Sequence, residues 1–161
     1  MYLDDRITQS RFYISHWSIY YLACGPDFRV NVYAACIVNE VLFHNQNRDN
    51  RRSSQNSGVT VAGDNDGQEV NFYGVLYDVI GLNYMSNNWV ILFKCKWFDT
   101  NAKKKRIHQD YHFTCINASK LWFENDPFIL AIQGKQVFYV EDYNNSVRDW
   151  KVVQKAQHRN L

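Results

Sequence analysis

Residues 73–99, YGVLYDVIGLNYMSNNWVILFKCKWFD, constrain most tightly what this chain can fold into. Trp89, Ile91, Phe93, Cys95 and Trp97 recur at every second position, with Lys94 and Lys96 between them. Successive side chains of a strand point to opposite faces, so this alternation marks a strand buried on one face and wet on the other. The preceding run ends near Tyr84. Ser86-Asn87-Asn88 lies between the two, and Asn tolerates left-handed backbone and bonds its own main chain. The stretch therefore predicts a long hairpin with its turn at residues 86–88.

The rest of the chain supports a β-rich reading. Aromatics make up 16% of it, which favours strands over helices, and apolar residues make up 46%, ample for the core of one domain. Only 7 Gly and 2 Pro argue against a low-complexity chain. Residues 11–24 predict a short N-terminal helix, because Tyr13, Trp17, Tyr20 and Cys24 fall three or four apart and Gly25-Pro26 stops it. Residues 30–38 and 41–44 predict a strand pair or one bent strand, with Asn39-Glu40 between them. Residues 45–58, NQNRDNRRSSQNSG, carry no apolar side chain and predict a solvated loop. A short strand at 59–62 precedes a turn at 63–67, GDNDG, and the central hairpin occupies about 69–98. One further strand is expected at 107–116, a turn or short helical segment at 126–133, and strands at 136–140 and 150–153. The expected division is a helical segment at 1–28, a β-rich domain at 29–155 and a frayed tail at 156–161. The predicted class is mainly β: a small rolled antiparallel sheet or an SH3-like barrel with a short N-terminal helix.

Several chemistries find little support in the residues. Cys24, Cys36, Cys95 and Cys115 are widely spaced with no CxxC, which suits reduced thiols. His108, His112 and Cys115 have the spacing H-x3-H-x2-C, in which the two histidines, four apart, fall on one face of a helix or of a strand; Cys95 could supply a fourth ligand, but that spacing is no zinc signature. Asp64, Asp66, Asp78, Asp99, Asp126, Glu141 and Asp142 offer carboxylates, yet nothing selects a catalytic set. Neither a nucleophile elbow nor a glycine-rich phosphate loop is present. The expectation is a non-catalytic chain with no cofactor, metal or small-molecule substrate. The N-terminal MYLDDRITQSR carries two acids and no apolar h-region, so no secretory signal is expected, and with no run of about 18 apolar residues no membrane span is expected.

The net charge of +2 makes no case for nucleic-acid binding, so that case must rest on local clusters. Arg48, Arg51 and Arg52 stand against one Asp49. Lys103, Lys104, Lys105 and Arg106 are consecutive, and with Lys94 and Lys96 they are expected to make one basic patch for DNA phosphates. The rival expectation is a protein-interaction module, with Trp89, Trp97, Phe98, Trp122 and Tyr139 lining a docking groove.

The collinear motifs YAACIVNEVLFH, NRDNRRSSQNSGV, FYGVLYDVIGLNY, VILFKCKWFD, NDPFILAIQGKQVFYVED and DWKVV run from about residue 22 to 155. Together they resemble the domain of unknown function that accompanies transposases of plant CACTA-type (En/Spm-like) elements. Departures from that pattern include Glu40 in place of Gly, Gly81 in place of Glu, Lys96 in place of an acid, and Ile132 and Gly134 in place of Ser and Ala. The resemblance implies an accessory, non-catalytic domain that contacts DNA or a transposase catalytic subunit or domain. It also implies a nuclear setting, where Lys103–Arg106 would double as a minimal import signal. A transposon-derived fragment without a present role is the other outcome it allows.

Overall fold

The computed structural model describes residues 6–9, 16–142 and 149–156. In chain order the elements are β1 (Arg6–Gln9), α1 (His16–Cys24), β2 (Val30–Tyr33), β3 (Ala35–Val38), β4 (Val41–His44) and α2 (Gln46–Asp49). Next come β5 (Gly58–Asn65), β6 (Gln68–Tyr84), β7 (Asn88–Phe98), β8 (Ile107–Gln109) and β9 (Thr114–Asn117). The last are β10 (Leu121–Trp122), β11 (Phe128–Leu130), β12 (Lys135–Glu141) and β13 (Trp150–Lys155).

The predicted hairpin is the spine. β6 and β7 pair antiparallel from Gly74↔Trp97 to Tyr84↔Asn88. Ser86 and Asn87 at the tip take positive φ, as the turn chemistry anticipates. Asn88 already belongs to β7, so the turn is one residue earlier than expected. Ile91, Phe93, Cys95 and Trp97 are all buried on one face of β7. The register of β6 shifts between Leu76 and Asp78, where Tyr77 is an extra residue. This bulge explains an irregular pattern: Gly74 and Leu76 face the first core on one side of it, Val79 and Gly81 on the other.

Two cores follow from the two faces of this spine. On the first, the β3–β4 hairpin places Cys36, Val38 and Phe43 against Leu76, Val79, Ile91 and Phe93. On the second, Tyr73 and Phe98 meet Ile116, Val137 and Val153, carried by β9, β12 and β13. The large sheet runs β10-β7-β6-β5-β12-β13-β9-β8, with β2 added beside β6 and β11 beside β7. Its far strands therefore curl back over the spine. Tyr139 of β12 closes the roll: its hydroxyl donates to the Gly74 carbonyl at 2.8 Å, and its ring meets Phe98 edge-on. The end strands β10 and β8 do not pair, so the sheet is rolled and open, not a closed barrel.

Several expectations need correction. The helix exists at 16–24, and residues 11–15 lie outside the described residues. Its expected apolar face is not buried, for Ile19, Tyr20 and Leu22 are each more than half exposed. Residues 45–58 are not a plain loop. Asn45 caps α2, its side chain accepting from Arg48 N, and Asn45, Asp49 and Ser57 are buried. β5 continues to Asn65, leaving Asp66-Gly67 as the turn. The strand at 107–116 is a hairpin, β8 and β9, bent at Asp110, whose carboxylate accepts from the amides of His112 and Phe113. Residues 128–130 are strand, and only Ala131–Gln133 form a single 3-10 turn.

Candidate nucleic-acid interface

Local chemistry fixes where each basic cluster points. In the first, His44 Nδ1 lies 3.3 Å from Asp49 Oδ1, both groups buried. Asp49 Oδ2 accepts from Asn56 N at 2.7 Å and Ser57 N at 2.6 Å. The one acid of this stretch is thus consumed inside the fold, closing the loop that carries the arginines. Burial pulls the His44 pKa below its ordinary value, and the Arg48 charge adds to the shift. Arg51 and Arg52 are exposed, while Arg48 is half-buried.

The second cluster divides. Asp99 is buried, and its Oδ2 accepts from Arg106 Nη1 at 2.7 Å and lies 3.8 Å from Lys104 Nζ. Its Oδ1 accepts from Asn101 N, and the Asn101 side chain accepts from Lys103 N. Lys105 then takes φ 52°, turning the chain. Arg106 and Lys104 therefore hold the loop together. Lys103 lines a groove of about 660 Å³ with Phe72 and Trp122, whereas Lys105 lines another with His108, Cys115 and Trp150. Lys103 and Lys105 thus line two different grooves, which have Ala102 and Ile107 in common.

Lys94 and Lys96 are organised by a residue the sequence pattern did not single out. Tyr77, the bulge residue of β6, is exposed, and the two ammonium groups sit 5.5 and 4.4 Å from its ring centroid. Lys96 lies directly across from Val75. Val75 in turn lines a groove of about 630 Å³ together with Arg52, Gln55 and Lys151, and with the carboxylates Asp49, turned inward to His44 and the loop amides, and Asp149. The hairpin lysines thus neighbour the arginine-bearing loop. Phe98, two residues beyond Lys96 on the same face, is buried in the second core. Lys151 is the further cation of this groove, bonded to Glu141 at 2.9 Å. It could have been found from the sequence only by knowing that β13 folds back over β6.

Residues 80–153 match the family model of a domain of unknown function, DUF4216. The matched segment begins within β6 and ends within β13, under half of the chain. It takes in Lys94, Lys96, Lys151 and the 103–106 cluster, and leaves out Tyr77 and the three arginines. No curated protein and no solved structure matches the chain.

The structure brings together only part of the other candidate chemistry: His108 and Cys115 are cross-strand partners. Cys95 is buried in the first core, away from the β8–β9 hairpin that carries His108 and Cys115. Among the described residues no group of three His, Cys, Asp or Glu side chains could hold a metal ion. Of the aromatics expected to line a groove, Trp97 is core, while Phe98 and Tyr139 meet edge-on and both line the groove of about 630 Å³. Trp122 stacks on Phe123 at 4.8 Å beside Phe72, in the groove that Lys103 lines. Among the described residues no helix is long and apolar enough to cross a membrane.

Proposed function

We propose that this chain is a non-catalytic accessory domain of a plant CACTA-type transposase, acting in the nucleus, and that it contacts DNA phosphates beside the second core. The observation that carries the reading is the convergence of Arg52 and Lys151 on one groove, with Lys96 and Lys94 beside its Val75 flank. The sequence resemblance supplies the transposase context. Lys94 and Lys96 are layered on Tyr77, which restrains two flexible ammonium groups and lowers the entropy lost on contact. Such contacts position a duplex without reading its bases, so affinity should fall steeply with salt.

The test is fluorescence anisotropy with a duplex at two salt concentrations. The triple variant Arg52→Ala, Lys94→Ala, Lys96→Ala should weaken binding and flatten the salt slope by about 2 to 3. Lys103→Ala with Lys105→Ala should change it less. Equal losses from both sets, or no binding at low salt, would argue against this groove.

A further inference from the structure

We infer that the outward apolar face of β2, β6, β7 and β11 is where a second copy of this chain docks. The strand registers set Val32, Ile80, Leu92 and Leu130 in one row across four strands, and Val30, Leu82 and Val90 in the next. The alternate positions Tyr33, Val79, Phe93 and Ile129 face the first core, so both rows face away from it. Val32 is 61% exposed, Val30 50% and Leu130 40%. Ile80, Leu82, Val90 and Leu92 are half-buried and belong to neither core. Seven aliphatic side chains thus form an uncharged field on one side of a sheet.

Shape, area and charge favour a second copy as the occupant. Sheets bury such faces by packing flat on another sheet about 10 Å away, and Val, Ile and Leu rows of similar height suit like on like. The two rows with Phe128 expose on the order of 500 Å² of apolar surface, already near the largest patch of a typical monomer. Phe28, just before Val30 and 93% exposed, and Met85 at the hairpin tip extend it. The total approaches the roughly 800 Å² per partner of a stable interface.

Charge sets the orientation. Lys94 and Lys96 lie at one end of the field with Asp78 directly across from Lys94, which leaves that end net positive, whereas Tyr84 and Asn88 lie at the other. Asp27 and Arg29 are paired with each other near that second end, where Asp27 N bonds the Asn83 carbonyl. A two-fold pairing with antiparallel strands lays each lysine end over the neutral end of the other copy. The parallel alternative would bring two net-positive ends together, four lysines against two Asp78 carboxylates, and is disfavoured.

Sedimentation velocity on the full chain, from about 1 to 100 μM, tests this directly. The expected result is a concentration-dependent species of twice the 19.1 kDa chain mass that persists in high salt, unlike the phosphate contacts. Val32→Lys with Leu130→Lys, both at exposed positions, should weaken association at least tenfold while leaving the monomer's melting temperature, taken at the lowest concentration, unchanged. Leu130→Lys alone serves if the double variant does not fold. A monomer throughout the range overturns the proposal and leaves the face to a different partner. So does a dimer that the folded lysine variants leave intact.

Discussion

Single side chains here carry conformational and charge costs that the sequence shows only in part. Asn39 and Glu40 both take positive φ, 49° and 67°, in the turn between β3 and β4. Glycine would occupy that backbone without Cβ strain, so Glu40 costs stability that a glycine would not. Glu40→Gly should therefore stabilise the fold by about 1 kcal/mol in a urea titration, despite the looser unfolded chain. An unchanged midpoint would mean the turn relaxes the strain elsewhere. Asp99 is the opposite case, a buried carboxylate that accepts from Arg106 and from the Asn101 amide. Asp99→Ala leaves the half-buried guanidinium unpaired, and should cost about 2 kcal/mol and loosen residues 100–106 in hydrogen exchange. If exchange there is unaltered, the loop is held by something other than this acid.

At the scale of elements, close approach decides which positions tolerate a side chain. A Cβ on Gly58 would stand 2.1 Å from the Val137 carbonyl oxygen, and backbone cannot swing aside as a side chain does. Gly58→Ala should cost about 3 kcal/mol by thermal melting and part β5 from β12, whereas Gly67→Ala meets open space and strains only its turn. The hairpin was legible because one strand face is wet and the other dry, which writes a period of two into residues 89–97. The α2 segment was not, since its buried groups are Asn45, Asp49 and Ser57, polar residues whose burial depends on each other's hydrogen bonds. The open roll was equally hidden, because strand order rests on long-range pairings such as β5 with β12 that no local window contains. For the same reason the sequence groups Lys96 with Lys103–Arg106, its neighbours along the chain, and could not show Arg52 and Lys151, which line the groove beside its cross-strand partner Val75.

The whole molecule should be stable only within a bounded pH window, because buried groups of different kinds must stay uncharged. His44 has its pKa lowered in the fold, by burial first and by Arg48 next. The unfolded chain therefore binds that proton more readily, so its stabilising contribution is complete above about pH 6.5 and is lost as pH falls below it. At the other limb, burial pushes the Cys36 thiol up to about 12 and raises Cys95 further still. Both thiols ionise in the unfolded chain near their ordinary value of 9.0, so stability begins to drop as pH rises past it. Tyr139 joins above 10.0, since burial raises its hydroxyl well beyond that value. Melting temperatures taken from pH 5 to 11 should thus form a plateau between about 6.5 and 9 with a shoulder on each side. His44→Gln should flatten the acid shoulder alone. Tyr139→Phe should lower the plateau, because the Gly74 carbonyl loses its donor, and should also soften the fall above pH 10. An alkaline shoulder unchanged in Tyr139→Phe would mean that this hydroxyl does not close the roll between β12 and β6 in solution.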